Sequence, residues 1–139
     1  MPIVVEAKSQ QEFDSWLKDA KVRAEEEAKA AASSVDYKFA DLAEASKLGE
    51  EVYNARCAAC HQVTGEGLPP MFPALKGSKI AADKARVADH IHIVVAGKNA
   101  MPAWKGMLTP KEMAAVITYE RNAWGNNTGD LVQPSDVAK

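Results

Sequence analysis

Cys57, Cys60 and His61 stand within five consecutive positions of a 139-residue chain, in the stretch "RCAACHQVTGEGLPPMFPAL" from 56 to 75, and these are its only two cysteines. Three chemistries use a Cys-x-x-Cys pair. A redox dithiol of the thioredoxin kind sits at a strand-to-helix junction within a βαβ unit. Here the motif closes a helical pattern, and no parallel-sheet pattern surrounds it. A structural zinc site needs four ligands. The further candidates are His61, His90 and His92, and the His-x-His pair lacks the usual gap of three to five residues. The third chemistry is Cys-x-x-Cys-His, which attaches haem covalently. One turn of backbone spans the two vinyl groups of a porphyrin, and the next residue is carried under the iron as a ligand. The third reading satisfies all three residues at once. A zinc or dithiol module remains the colourless alternative.

A haem bound in this way needs a second axial ligand or an open position. Met101 lies forty residues beyond His61, in "AGKNAMPAW". A thioether there makes a six-coordinate iron and raises its potential over that of two histidines. Met101 sits in a loop with Pro102 fixing the backbone behind it, which is an unusual place for core filler. Met71 and Met107 are the competing loop methionines. Met71 is only ten residues from His61, so the chain would have to wrap the haem edge tightly. Among the histidines, His92 is the better alternative ligand and His90 a helix residue. A ligating histidine usually donates its other N–H to a carbonyl, and Pro73 in "FPAL" is the candidate acceptor. Leu68, Leu75, Val95 and Trp104 are candidates for the apolar wall.

The elements that must position these residues are marked by local signals. Residues 2–8, "PIVVEAK", read as a short extended segment. Ser9 and Glu12 form a capping box, which predicts a short helix with Phe13, Trp16 and Leu17 on one face, ending near Ala20. Residues 20–34, "AKVRAEEEAKAAASS", have helical propensity but no stripe to bury, and read as a tether. Asp41 caps a helix whose apolar face carries Ala45, Leu48, Gly49, Val52 and Tyr53. Gly49 in that face costs about 1 kcal/mol against alanine, which points to another backbone approaching closely. Residues 62–79 are rich in glycine and proline and predict an irregular loop. A helix follows from Asp83 to Gly97. Thr109, Pro110 and Glu112 open another, burying Met113, Val116 and Ile117, with Tyr119 and Trp124 behind them, and stopping at Gly125. The tail "NNTGDLVQPSDVAK" reads as polar and frayed.

Composition excludes several functional classes. The net charge of -2 gives no electrostatic footprint for nucleic acid. No apolar run approaches the ~20 residues of a membrane span. No leader sequence opens the chain, so it is expected to be either cytosolic or a piece of something already exported. Charge is divided unevenly, with a net of -4 over residues 1–45 and +2 over residues 46–139.

Three stretches, "GEEVYNARCAACHQVTGEGLPPMFPALKGS", "HIHIVVAGKNAMPAW" and "AAVITYERNAWGN", together resemble a class I cytochrome c. The resemblance implies an all-α fold around one covalent haem c. It implies Cys57, Cys60, His61, Met101 and Pro73 as cofactor-binding residues, with His61 and Met101 on the metal. In that family a glycine and an aromatic of the first helix cross the last helix; Gly49 and Tyr53 match them, and Val116 and Tyr119 match their partners. The opening "MPIVVEAKSQQEFDSWL" resembles the end of the copper-A domain in subunit II of cytochrome c oxidase, where Met1 matches a copper ligand. Copper-A end, tether and cytochrome c in one chain are similar to subunit II of the caa-type haem–copper oxidases. The cysteines and histidines of a copper site and the membrane helices that precede it are absent from this chain, so on this resemblance it is a fragment that does not bind copper A.

The resemblance divides the chain into a copper-A remnant at 1–18, a tether at 19–45, a cytochrome c domain at 46–126 and a frayed tail at 127–139. The implied function is one-electron transfer, not catalysis. The donor is a quinol-oxidising complex or a soluble cytochrome c, and the acceptor is copper A, with the copper-A domain and other oxidase subunits as partners. Lys76, Lys79, Lys98 and Lys105 are expected to ring the haem edge. The location is periplasmic, or the outer face of the bacterial inner membrane. The alternatives are a free-standing periplasmic cytochrome c shuttle, and a haem sensor or peroxidase-like enzyme with an open iron position.

Overall fold

The computed structural model describes residues 9–139. The expected extended segment at 2–8 and the matched copper ligand Met1 lie outside the described residues. Six α-helices are present among those described, α1 Gln10–Val35, α2 Leu42–Arg56, α3 Ala58–His61, α4 Val87–Ala96, α5 Pro110–Asn122 and α6 Pro134–Val137, with 3-10 turns at Lys84–Arg86 and Ala123–Gly125. Among the same residues no strand forms; only isolated bridges occur, at Leu68–Phe72, Lys98–Met101 and Lys105–Leu108. The architecture is all-α, consistent with a class I cytochrome c fold.

Both capping boxes are in place. Ser9 N–H donates to Glu12 Oε2 at 2.9 Å, and Thr109 N–H donates to Glu112 Oε2 at 2.8 Å. The first helix does not stop near Ala20. It runs on for 26 residues because the following Ala, Glu and Lys residues are good helix formers uninterrupted by Gly or Pro. Among the described residues its last turn carries the buried part, with Ser34 buried and Val35 half-buried, and the helix contacts α5 and α6. Phe13 and Trp16 instead stand 47% and 51% exposed, with ring centroids 5.9 Å apart.

The core is built on α2 crossing α5. Ala45, Gly49, Val52 and Tyr53 face Met113, Val116 and Ile117, and all are buried. A Cβ built on Gly49 would lie 2.6 Å from Tyr119 Cβ and 2.7 Å from the Ala115 carbonyl carbon, with the carbonyl oxygen closer still. The glycine is therefore the contact itself. Backbone cannot rotate away as a side chain end can, so Gly49→Val is expected to cost about 3 kcal/mol, the upper end for overpacking. A urea denaturation midpoint unchanged by the substitution would contradict the crossing.

The tail is not frayed. Thr128, Val132, Pro134 and Val137 are buried. Val132 N–H donates to Thr118 Oγ1 at 3.0 Å. Gln133 clamps the residue before α2's cap region, accepting from Phe39 N–H at 2.9 Å and donating to Phe39 O at 3.2 Å. Its few apolar residues carry no helical or strand period, so the pattern gave no sign that they pack. Arg121, at the end of α5, is wholly buried; it donates to Asp130 Oδ2, to Ile80 O at 3.0 Å and to Asp83 O at 2.8 Å. One side chain thus ties the loop before α4 and the tail to α5.

Candidate functional site

The Cys-x-x-Cys-His motif spans the junction between two helices. α2 ends at Arg56, Cys57 caps it, and one further turn, α3, carries Cys60 and His61. Tyr53 O–H donates to Gln62 O at 2.6 Å and Trp124 Nε1–H donates to Val63 O at 3.0 Å, which pins the loop leaving the motif. Tyr53, Tyr119 and Trp124 pack as an aromatic trio with centroids 4.9–5.6 Å apart. The end of α2, the motif and the end of α5 are therefore held as one unit.

A cavity of about 490 Å³ opens beside this unit, and Cys57, Cys60, His61, Pro73 and Met101 all line it. That volume lies within the ~300–1,000 Å³ of small-molecule and cofactor sites. His61 is 8% exposed, and its Nδ1 lies 2.8 Å from Pro73 O. A carbonyl only accepts, so Nδ1 carries the hydrogen and Nε2 keeps its lone pair for a metal. Gly67 N–H donates to His61 O at 2.9 Å, closing the loop that brings Pro73 round.

Met101 is placed by a tight turn. Lys98 and Met101 exchange two N–H···O bonds of 3.0 Å each, and Trp104 N–H donates to Val94 O at 3.1 Å. Gly97 has φ +76°, and a Cβ there would lie 2.7 Å from both Met101 O and Ala103 N. Glycine thus lets the methionine loop fold onto the end of α4. Of the other methionines, Met71 also lines the cavity but is 76% exposed, and Met107 is 55% exposed and does not line it.

The two histidines of α4 change places relative to expectation. His92 is exposed and lines a separate groove of about 570 Å³ between α4 and the tail, whereas His90 is buried and lines the main cavity. Helical phase is the reason. His90, Ile93 and Val94 share the cavity face, and Val87, Ile91 and Val95 face the groove. Val95 is accordingly not part of the cavity wall, and Leu68 is 54% exposed outside it, while Leu75 and Trp104 do line it. Lys98 lines the cavity, and Lys76 lies 3.1 Å from Glu66.

Glu120 is a site residue that the pattern reading passed over. It is 4% exposed, lines the cavity and lies 2.8 Å from His90 Nε2. Its position was detectable: it follows Met113 by seven residues on the buried face of α5.

Cys57 and Cys60 are free thiols, and Cys57 is 8% exposed. Burial first, then the charge of Glu120, pushes the Cys57 thiol far above its ordinary range. Such a thiol is a poor thiolate nucleophile or metal ligand. Among the described residues no group of three or more His, Cys, Asp and Glu stands close enough to hold a metal ion between them. The donor set therefore does not suit a four-ligand zinc site, whereas cysteines, histidine and methionine around one largely apolar cavity suit a covalent haem.

Comparison with known proteins gives the same direction. Residues 44–119 match the family described as "Cytochrome C oxidase, cbb3-type, subunit III". The chain is 36% identical over 101 residues to the cytochrome c subunit of the quinone alcohol dehydrogenase of Gluconobacter oxydans, covering 66% of this chain and 21% of that subunit. It is 34% identical over 98 residues to cytochrome c-552 of Thermus thermophilus, covering 61% of this chain and 66% of that protein. It is 37% identical over 71 residues to cytochrome c6 of Leptolyngbya boryana, covering 51% of this chain and 84% of that protein. The chain thus spans only about a fifth of the dehydrogenase subunit but most of the small cytochrome.

Proposed function

The chain belongs to the cytochrome c family, which moves single electrons through a covalent c-type haem, and from that premise we propose that it feeds electrons to the copper-A centre of a terminal cytochrome c oxidase. The observation that carries the electron-transfer part is the single cavity shared by Cys57, Cys60, His61 and Met101. When bound, the haem supplies a one-electron couple whose potential follows its axial ligands. In this reading Cys57 and Cys60 would hold the macrocycle by thioethers, and His61 and Met101 would hold its iron. Pro73 fixes the His61 ring through its carbonyl. Trp104, Leu75 and Val94 keep water from the cavity, which lowers the local dielectric. With His61 and Met101 both holding the iron, the domain would act as an electron carrier in this reading.

The oxidase assignment rests on two features of the front of the chain. "MPIVVEAKSQQEFDSWL" resembles the end of a copper-A domain, and the Phe13–Trp16 pair stands exposed on α1, away from the core. In the proposed arrangement α1 is the connector between that domain and the haem domain. Its 26 residues span about 39 Å. The electron donor is a quinol-oxidising complex or a soluble cytochrome c, at the periplasmic face of a bacterial inner membrane. No helix among the described residues is long and apolar enough to cross a membrane, so in this reading membrane attachment belongs to other parts of the complex. A free-standing periplasmic shuttle is the second reading, favoured by the 84% of cytochrome c6 that the chain covers.

Two experiments address the two halves. Haem-loaded protein should keep its colour through acid–acetone extraction, since thioethers survive it. Within the intact oxidase, flash-induced transfer from this haem to copper A should change little between low and high salt, because tethering replaces diffusional encounter with an effective concentration of order millimolar. Haem leaving with the solvent would overturn the covalent site. A steep salt dependence, or turnover unchanged after deletion of residues 46–139, would favour the shuttle.

A further inference from the structure

His90 and Glu120 face each other inside the wall of the main cavity. Nε2 and Oε2 are 2.8 Å apart, and the two side chains are 4% and 5% exposed. Among the described residues His90 Nε2 is hydrogen-bonded to Glu120, and His90 Nδ1 is buried with no hydrogen-bond partner. Nothing in the electron-carrier role needs either group. Both lie on positions that helical phase assigns to apolar side chains, beside Ile93, Val94, Met113 and Val116. A carboxylate buried there costs several kcal/mol unless its charge is compensated.

The geometry admits two proton counts for the pair. An ionised carboxylate only accepts, so Nε2 carries the hydrogen it donates to Glu120. Nδ1 then bears a bare lone pair, and the pair has a net charge of -1. One added proton goes to Nδ1, the atom without a partner, and brings the net charge to zero. An electron added to the same cavity is a second negative charge in a poorly screened space, and it favours the protonated form. By linkage the proton favours the electron equally.

We propose that His90 and Glu120 form a redox-linked proton site, so that electron uptake by this protein is coupled to proton binding at His90 Nδ1. The step balances as follows. An external one-electron donor is oxidised by one electron, the carrier is reduced by one, and one proton from solvent forms an N–H bond at Nδ1. When the electron passes to its acceptor, that N–H bond breaks and the proton returns to solvent.

Neighbouring charges leave this site to the pair. From α2, Tyr53 and the Cys57 thiol are both pushed above their ordinary ranges, first by burial and then by Glu120, and the Cys57 sulfur ceases to titrate once it is alkylated. From α5, Tyr119 is likewise held protonated, chiefly by burial. Arg56 and Lys98 also line the cavity, and His61 lines it from α3 with Nδ1 engaged by Pro73. On α4 itself, Asp89 pairs with Arg86 and His92 faces the other groove. In the tail, Asp136 is 3.2 Å from Lys139, and Arg121 is turned to Asp130.

This inference rests on the haem-carrier reading, and its test separates the two. The midpoint potential of the haem-loaded protein would be measured from pH 5 to 9. The expected result is a fall with rising pH whose slope approaches about 59 mV per pH unit, a tenfold change in proton activity for a one-electron couple. Glu120→Gln keeps an acceptor for Nε2–H and removes the charge, and should flatten the profile while leaving the visible spectrum intact. In the unmutated protein, nitrogen-resolved NMR of the His90 ring should show it titrating at a higher pH in the reduced state than in the oxidised one. A flat profile in the unmutated protein, a slope retained in Glu120→Gln, or a His90 ring titrating at the same pH in both states would each overturn the proposal. A colourless preparation would instead overturn the haem-carrier reading.

Discussion

Met101→Ala is expected to abolish the weak near-infrared sulfur–iron(III) band and to lower the potential by on the order of 100 mV, within the ~0.8 V that axial ligands span. The methionine turn is held by its own hydrogen bonds, the paired 3.0 Å contacts with Lys98 and the Trp104–Val94 bond. These involve backbone alone, so the fold should survive the truncation and the effect should appear at the iron. Met107→Ala should leave both readouts unchanged, because Met107 does not line the cavity. Met71→Ala is the sharper control, since Met71 does line it, though it is 76% exposed. Loss of the band in Met71→Ala with retention in Met101→Ala would assign the ligand to the loop before α4.

Arg121→Met is expected to destabilise the protein by about 3 kcal/mol, the lower end for removing one partner of a buried ion pair. The lower end applies because Asp130 is 27% exposed and regains some water, whereas Arg121 is not exposed at all. The carbonyls of Ile80 and Asp83 lose their donor in the same step. Methionine fills much of the volume, so the loss reports hydrogen bonds and charge more than a cavity. Against total stabilities of about 5–15 kcal/mol this is a large fraction, and it should move the urea midpoint by about 1–3 M at the usual slopes. Arg121→Lys keeps the charge but not the planar fork, and should fall between the two. An unchanged midpoint in Arg121→Met would mean that the loop and tail are held elsewhere.

Much of the site was legible because its determinants are local. Cys57, Cys60 and His61 lie within one turn of chain, so spacing alone states their chemistry. The two capping boxes close over three residues, and each fixes where its helix starts. Gly49 was legible for a different reason. A glycine in an apolar helical face needs a compensating contact, and the missing Cβ announced the backbone at Ala115. The Pro73 carbonyl could be named from the need of a ligating histidine for an acceptor and from the short loop that follows it.

What the amino-acid sequence determined by itself was thus the motif, the helix starts, the crossing point and the family resemblance, each set by chemistry within a few residues. The tertiary structure decided what depends on partners distant in the chain. It joined Gln133 to Phe39 across 94 positions, so that a polar tail is held down, and His90 to Glu120 across 30, so that a polar pair enters an apolar wall. It also set the phase of α4, where one residue of rotation separates the cavity from the groove. The physical reason is common to all three. A buried polar group is tolerated only opposite its complement, and which complement stands opposite is known only when the helices have packed.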